Sequence, residues 1–258
     1  MSALRLEDDA AGVRTLTLDR PDSLNALDRG LKEALLGAFR GAARDTNVRA
    51  VILTGAGRAF CAGQDLRERG EDAPSLAVEL RERYIPLIQA ITRLEKPVIA
   101  AVNGVAAGAG FSLAVACDVR IMADAASFVS AFGRIGLVPD SGLSWFLPRL
   151  VGPARAAEIV FTTDPVDAAT AERIGLVNRV VPSDRLLPEA HALAARLAAG
   201  APRALALAKR SLAFALDHDL ESTMAFEAQL QGLAGRTADH AEGVRAFVEK
   251  RPPRFTGE

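Results

Sequence analysis

Two short runs of apolar residues limit the folds open to this chain more than any other feature. Residues 50–53 and 98–102 carry only apolar side chains, and each run leads into a glycine-rich stretch. A continuous apolar strand of this length is typical of a parallel sheet that is covered on both faces. Residues 13–18 instead alternate apolar and polar side chains, which predicts another strand.

Amphipathic helices separate these strands. Residues 31–42 place apolar side chains at helical spacing, and Asp28 is positioned to cap the N-terminus of that helix. Residues 76–94 repeat the pattern, and Pro86 predicts a kink because it lacks an N–H group. Strands that alternate with helices in this way indicate an α/β fold with a buried sheet.

The last part of the chain has a different pattern, with helical signals only from about Ser183 onward. The spacing of apolar residues predicts helices over residues 184–199, 202–216, 220–233 and 239–250. We therefore predict an α/β core over residues 1–195 and a helical C-terminal region over residues 196–258.

Composition argues against several classes of protein. The chain has 258 residues, 50% of them apolar, and a formal net charge of −1, which disfavours general nucleic-acid binding. Its longest apolar run is interrupted by Asn103 and glycines, so no membrane span is predicted. Only Cys61 and Cys117 occur, which argues against a disulfide scaffold. The N-terminal segment lacks the apolar core of a signal peptide, and we expect a cytoplasmic protein.

Three loops are candidates for ligand binding: residues 59–66, 103–110 and 136–142. The first two follow buried strands, and the second opens a predicted helix, where free backbone N–H groups favour negative charge. Small residues at such corners also let a ligand approach the backbone. Each loop has an ordinary structural explanation as well, since Asp140 or Ser141 could simply cap the next helix.

Reactive side chains outside these loops are few. His191, His218 and His240 fall in the predicted C-terminal helical segments and not in or near the three loops, so a Ser-His-Asp or Cys-His hydrolase is not expected. Cys61 and Cys117 fit small buried residues better than nucleophiles. No His/Cys cluster has the spacing of metal ligands, and no metal site is predicted.

Several segments, in this order, resemble the crotonase (enoyl-CoA hydratase/isomerase) superfamily. They are Asp19-Arg20-Pro21 with Asn25-Ala26-Leu27, residues 60–66, residues 96–104, Gly108-Ala109-Gly110 and Gly136-Leu137-Val138-Pro139. The resemblance extends almost from end to end of the chain. It implies a spiral of ββα turns with a C-terminal helical trimerisation region, and therefore a homotrimer or a hexamer made from two trimers.

The resemblance also implies a site for an acyl-CoA thioester. In this family two backbone N–H groups bind the thioester carbonyl oxygen, and the motifs assign them to Ala62 and Ala109. The remainder of the substrate is expected to contact Asn25, Ala26, Leu27, Ala62, Gly63, Gln64, Asp65, Leu66 and Gly108. Asp65 could instead cap the helix that follows it. No cofactor is implied, because coenzyme A is part of the substrate.

Departures from the family pattern indicate the reaction. Hydratases of this family use two glutamates to activate water, and their positions hold Ser112 and Phe132 here, neither of which is an acid or base near neutral pH. Asp140 occurs in the loop where isomerases of the family keep an acid. An acyl pocket is expected from Phe111, Ser112, Phe132 and Trp145, although aromatic side chains here would equally suit a plain core.

These features favour an isomerase in which Asp140 shuttles a proton through a thioester enolate. The loop sequences are most similar to the ring-1,2-epoxyphenylacetyl-CoA isomerases of phenylacetate degradation. A hydratase that holds water with other groups is an alternative. A non-catalytic CoA-binding scaffold of the same fold is another, favoured by the missing glutamates and opposed by Asp140.

A dinucleotide-dependent dehydrogenase is a weaker alternative. Gly55 and Gly57 follow a predicted strand, but the fingerprint needs a third glycine where Phe60 stands. A Tyr-x-x-x-Lys pair starting at Tyr84 would need a lysine where the chain has Ile88. We therefore set this class aside.

Overall fold

The computed structural model describes residues 3–68 and 74–258. The strands are β1 (Leu4–Asp8), β2 (Val13–Leu18), β3 (Ala50–Gly55), β4 (Ala59–Cys61), β5 (Val98–Val102), β6 (Val105–Ala107), β7 (Val119–Ala123), β8 (Ser127–Val129), β9 (Val166–Asp167) and β10 (Arg179–Val181). The helices are α1 (Arg29–Arg44), α2 (Leu76–Glu79), α3 (Ile85–Thr92), α4 (Ala109–Ala116), α5 (Leu143–Val151), α6 (Pro153–Thr162), α7 (Ala168–Arg173), α8 (Leu186–Ala198), α9 (Pro202–Ala215), α10 (Leu220–Ala234) and α11 (Ala238–Glu249).

The strands form two sheets that the chain visits alternately. One sheet has the order β1-β2-β3-β5-β7-β10 and is parallel except for the β1–β2 pair. The other has the order β4-β6-β8-β9, with only β8–β9 antiparallel. From β3 to β8, each turn of chain adds one strand to the first sheet and the next strand to the second, and then a helix or helical turn follows. The predicted α/β spiral of ββα turns is therefore confirmed.

The apolar strands lie where the sequence places them. All five residues of β5 and the first five of β3 are buried, because helices cover the sheet. Helix α1 begins directly after Asp28, whose carboxylate accepts a hydrogen bond from the Leu31 backbone N–H at 2.7 Å. The predicted N-cap is thus confirmed, and the apolar stripe of α1 packs into the core.

The segment predicted as a kinked helix over residues 76–94 is divided into three parts. Helix α2 is followed by a π turn, Leu80–Tyr84, and then by α3, which has Pro86 in its first turn. Proline lacks the N–H that a regular α-helix would donate here, so the hydrogen-bonding pattern changes just before it. The result is a wider turn, and its residues Leu80, Arg83 and Tyr84 line a cavity.

The C-terminal helices agree closely with their predicted positions. Helix α8 packs on β3, β5 and β7 and ends at Ala198, so the α/β core extends slightly beyond the predicted boundary at residue 195. Helices α9 and α10 pack together, and Lys209 of α9 forms an ion pair with Asp118 at 2.8 Å. His218 lies in the turn after α9, between the helices predicted over residues 202–216 and 220–233. Within residues 3–68 and 74–258, no helix combines the length and apolar character that crossing a bilayer requires.

Candidate active site

A cavity of about 530 Å³ opens where the three candidate loops meet. Its walls come from α1, the residues after β4, the segment from α2 to the π turn, the start of α4, and residues 131–140. The residues that line it are Arg29, Lys32, Ala62, Gly63, Gln64, Leu66, Glu68, Pro74, Leu76, Glu79, Leu80, Arg83, Tyr84, Gly108, Ala109, Ala131, Phe132, Arg134, Ile135, Leu137 and Asp140. An apolar cavity with a few convergent polar groups is the usual form of a small-molecule site.

Two backbone N–H groups in the cavity wall have no hydrogen-bond acceptor among the described residues and can therefore bind an anion. The Ala109 N–H is at the first position of α4, where no helical acceptor exists. Leu27 pairs with both neighbours of Gln64, through the Gly63 carbonyl and the Asp65 N–H. Gln64's own N–H therefore points away from Leu27, and no acceptor for it is found in residues 3–68 and 74–258.

This pair differs from the sequence prediction, which gave the first donor role to Ala62. The Ala62 N–H donates to the carbonyl oxygen of Leu24 at 2.9 Å, so it is not available to a ligand. Gly63, between Ala62 and Gln64, has a φ of +92°. A Cβ atom at Gly63 would lie 2.8 Å from the Ala107 carbonyl oxygen and 3.3 Å from the Ala109 nitrogen. Only glycine permits so close an approach of the two loops.

Asn25, Ala26 and Leu27 lie beneath this loop and do not line the cavity. The Asn25 amide donates to the carbonyl oxygens of Ala56 and Ala59 at 2.9 and 2.8 Å. The Leu27 N–H donates to the Gly63 carbonyl oxygen at 2.7 Å. The structure thus gives these residues a supporting role, and their predicted contact with the substrate stays a prediction.

Asp65 is also part of the support. Its buried carboxylate forms ion pairs with Arg20 at 3.0 Å and Arg67 at 3.2 Å, and it accepts the Arg67 backbone N–H. The hydrogen bond from Arg67 is the main cause that holds the pKa of Asp65 below its ordinary value. The alternative given above, that Asp65 caps the following turn, is confirmed for the short helical turn Leu66–Glu68.

Asp140 lines the cavity as a half-buried carboxylate without an ion pair to any described residue. The Ser141 hydroxyl donates to its Oδ1 at 2.8 Å. Burial raises the pKa of Asp140, and the hydrogen bond from Ser141 opposes that shift only in part. A carboxylate whose pKa is raised by desolvation is a stronger base than an ordinary aspartate, which suits it to take a proton from a substrate.

The alternative in which Asp140 or Ser141 caps a helix is wrong. Helix α5 begins after Gly142, and no side chain caps its N-terminus; the Leu143 N–H donates to the backbone carbonyl of Asp140 at 3.0 Å. Ser141 has a φ of +52° and Gly142 a φ of +86°. Backbone in this region is strained for a residue with a side chain, and such strain is concentrated at functional sites.

The predicted acyl pocket is only partly correct. Phe132 lines the cavity, but Phe111 is fully buried and stacks on Phe128 with ring centroids 4.5 Å apart, as a core residue would. Ser112 is fully buried behind the cavity wall, where its hydroxyl donates to the Asp140 carbonyl oxygen at 3.0 Å. Trp145 is on the surface, with the Arg149 guanidinium 4.2 Å from its ring centroid. Neighbours in sequence need not share one face of the helix, which explains why Trp145 points outward.

A buried charged cluster in the wall was missed by the sequence analysis. The Lys32 ammonium, 2% exposed, forms an ion pair with Glu79 and donates to the Gln64 side-chain oxygen at 3.0 Å. The Tyr84 hydroxyl donates to the same oxygen at 2.6 Å, and Arg83 pairs with Glu79. The sequence does contain a signal for this cluster. Lys32 borders the apolar stripe of α1, and a lysine that is buried there needs a carboxylate or another acceptor as its partner.

The comparisons with known proteins agree with this architecture. Residues 8–258 match the family model described as enoyl-CoA hydratase/isomerase. A protein of Rhodobacter capsulatus named "Probable enoyl-CoA hydratase" is 47% identical over 95% of each chain. The 1,2-epoxyphenylacetyl-CoA isomerase of Escherichia coli K12 is 43% identical over 96% of each chain. The crystal structure of an enoyl-CoA hydratase from Bacillus anthracis superposes with a TM-score of 0.95 at 35% identity, covering 99% of this chain and 100% of that one.

Proposed function

The chain belongs to the enoyl-CoA hydratase/isomerase family, and we propose that it is an acyl-CoA isomerase that works through a thioester enolate. The observation that carries the proposal is that the carboxylates of the cavity wall differ in their partners. Glu79 is neutralised by Lys32 and Arg83, and Glu68 is exposed at the rim, where it accepts the Arg29 backbone N–H. Asp140 is the third carboxylate among the described residues that line the cavity, and burial raises its pKa.

The proposed reaction moves one proton and one pair of electrons. The thioester carbonyl oxygen accepts hydrogen bonds from the N–H groups of Gln64 and Ala109. In a 3-enoyl thioester, Asp140 takes a proton from the saturated carbon between the carbonyl and the double bond. The electrons of that C–H bond pass to the thioester oxygen and give an enolate that is conjugated with the double bond. The protonated Asp140 then returns the proton to a different carbon, so the double bond moves and no atom is gained or lost. Each preorganised donor contributes roughly 2.7–4 kcal/mol to binding of such a transition state.

The side chains at the hydratase positions support isomerisation. Ser112 is engaged with the Asp140 backbone, and Phe132 presents an apolar ring to the cavity. Leu66, Leu137 and Ile135 extend this apolar wall. Such a surface suits an aromatic or unsaturated acyl group, and the similarity to the isomerase of E. coli supports a ring epoxide of an aromatic acyl-CoA as substrate. The proposed chemistry uses no cofactor beyond the coenzyme A of the substrate, and a cytoplasmic location stays a prediction.

Hydration of an enoyl-CoA is the second candidate. It is favoured by the similarity to the R. capsulatus protein, whose name is that of a hydratase. The deciding experiment incubates the purified protein with crotonyl-CoA and, separately, with a cis-3-enoyl-CoA, and separates the products by chromatography. Double-bond migration without hydration is the expected result. Rapid hydration of crotonyl-CoA would overturn the isomerase assignment, and tight acyl-CoA binding without either reaction would favour a non-catalytic scaffold.

We propose a homotrimer, alone or paired as a hexamer, assembled through the C-terminal helices. Apolar side chains of this region that are exposed in the single chain are Leu212, Leu216, Leu220, Met224, Leu233, Val244, Phe247 and Val248. Such a patch marks an interaction surface in a soluble protein. Light scattering after gel filtration should give a multiple of three chains, and Phe247→Asp, at a side chain 86% exposed, should lower that mass. A monomeric wild-type protein would contradict this assembly.

A further inference from the structure

The charged cluster beside the cavity contacts the side chain of Gln64, whose backbone N–H is one of the two proposed oxyanion donors. Gln64 supplies that donor through its backbone N–H, and its side chain extends into the cluster. The side-chain oxygen accepts from the Lys32 ammonium at 3.0 Å and from the Tyr84 hydroxyl at 2.6 Å, and the amide donates to the Asp65 carbonyl at 3.3 Å. The side chain of Gln64 is therefore held at both ends of its amide.

Burying the charged groups of this cluster costs free energy, so stability alone does not explain why the cluster is there. Desolvating an ammonium and a carboxylate is expensive, and apolar residues of similar volume often stabilise a fold as well or better. Burial opposes ionisation of Glu79, but the hydrogen bond and charge of Lys32 and the charge of Arg83 outweigh it, so the pKa of Glu79 lies below its ordinary value. Lys32 and Glu79 are thus held as an ion pair beside the cavity.

The π turn brings two members of the cluster to one side. In a regular α-helix, residues five apart point about 140° away from each other. Glu79 and Tyr84 are five apart, and the π hydrogen-bond pattern of Leu80–Tyr84 joins residues at that separation. Glu79 therefore reaches Lys32, and Tyr84 reaches Gln64, from the same segment. Local π turns of this kind occur frequently at functional sites.

We infer that Lys32, Glu79 and Tyr84 are positioning residues for the oxyanion donor at Gln64. This inference rests on the proposed function, since it requires a thioester oxygen at the Gln64 and Ala109 N–H groups. The cluster links α1, the loop of residues 62–66 and the π turn, so its hydrogen bonds add to the Leu27 pairing that orients the Gln64 N–H. A misplacement on the order of 1 Å at such a donor costs up to ~100-fold in rate.

The test uses 4-(dimethylamino)cinnamoyl-CoA, a thioester whose absorption moves to longer wavelength when its carbonyl oxygen accepts stronger hydrogen bonds. Tyr84→Phe and Lys32→Met are compared with wild type for this shift, for the Kd of the probe, and for kcat and KM of double-bond migration. Lys96→Met is the matched control, because Lys96 is a part-buried lysine that donates to the Ala42 and Asp45 carbonyl oxygens outside the cavity.

We expect Tyr84→Phe and Lys32→Met to reduce the wavelength shift of the bound probe and to lower kcat roughly tenfold. The Kd of the probe should change less than threefold, and Lys96→Met should match wild type in every readout. The Tyr84→Phe/Lys32→Met double variant should lose less than the product of the single losses, because both residues act on one oxygen.

Three results would overturn the inference. If both single variants keep the wild-type wavelength shift and the wild-type kcat, the cluster does not act on the donor. A loss of affinity with an unchanged shift would make the residues binding groups rather than positioning residues. No shift in wild-type protein would refute the proposed thioester site itself, and the inference with it. Should Lys32→Met fail to fold, Tyr84→Phe, which removes one hydroxyl, decides the matter alone.

Discussion

The hydroxyl of Ser112 donates a hydrogen bond to the backbone carbonyl oxygen of Asp140, with an oxygen–oxygen distance of 3.0 Å. Ser112 is in the first turn of α4, the helix that begins with the Ala109 donor. The proposed base and one proposed oxyanion donor are therefore attached to the same helix. A serine at a hydratase glutamate position can therefore support the proposed isomerase site through the backbone, without lining the cavity.

Asp140→Asn should abolish turnover while leaving acyl-CoA binding nearly intact. Loss of a general base lowers rates about 10²–10⁴-fold. Asp118→Asn is the control, because burial also raises the pKa of Asp118, yet its carboxylate pairs with Lys209 outside the cavity. That variant should keep its activity. Wild-type turnover by Asp140→Asn would remove Asp140 from the mechanism.

Asp140→Asn should also make the protein more stable at neutral pH. The folded state raises the pKa of Asp140, so its contribution to stability is fully present below the unfolded pKa and is lost as pH rises through the folded value. At neutral pH the ionised carboxylate therefore opposes folding, and the neutral amide of Asn removes this opposition. Urea unfolding at pH 7 should give a higher midpoint for Asp140→Asn than for wild type. An equal or lower midpoint would mean that the carboxylate is not desolvated.

Ser141→Ala should move the acidic limb of the kcat/KM profile to higher pH. Asp140 must be ionised to accept a proton, so the rate rises as pH passes its pKa. The Ser141 hydroxyl stabilises the carboxylate and lowers that pKa against the effect of burial. Removing the hydroxyl leaves desolvation less opposed, which raises the pKa further. A limb that stays in place, or moves to lower pH, would show that another group controls the rate.

Ser112→Ala should lower both stability and kcat without moving the acidic limb of the kcat/KM profile. The variant loses a buried hydrogen bond, which typically contributes about 1 kcal/mol to the free energy of unfolding. It also releases the Asp140 backbone, so we expect a severalfold fall in kcat. Ser144→Ala is the matched control, since its exposed hydroxyl is 3.5 Å from the Pro139 carbonyl oxygen at the other side of the loop. Equal kcat values for the two variants would contradict a positioning role of Ser112.

Much of the fold could be predicted because its signals are local. The apolar runs of β3 and β5 and the Asp28 cap each depend on a few neighbouring residues. Within the site, Asp140 could be predicted as the candidate base because its loop follows a recognisable motif, and its carboxylate lines the cavity. Ala62 was chosen wrongly, since the direction of an N–H group depends on pairing with a distant segment, here the bond from Ala62 to Leu24.

The charged cluster shows the same limit more clearly. Lys32, Gln64 and Tyr84 are far apart in sequence, and only the spiral brings them together. Trp145 shows the converse, because its proximity in sequence to Asp140 did not place it in the cavity. Packing of the site thus required the tertiary structure, whereas its location did not.

Glu242→Gln should reduce stability at neutral pH, and the difference from wild type should disappear in acid. The Glu242 carboxylate accepts hydrogen bonds from the Arg251 guanidinium at 2.7 and 2.9 Å and from the Arg254 N–H at 3.0 Å. The Arg251 bond is the main reason why the pKa of Glu242 falls from 4.5 to about 2.

A carboxylate whose pKa is lowered by folding contributes stability above its unfolded pKa, and this contribution is lost as pH falls from about 4.5 toward about 2. Because the pair is only partly buried, solvent still screens it, so the effect should be small and should weaken with added salt. Urea midpoints measured across this range test it, with Glu221→Gln as the control for an exposed helical glutamate that forms no ion pair in the described chain. A constant difference between Glu242→Gln and wild type at all pH values would show that the side chain acts through packing rather than charge.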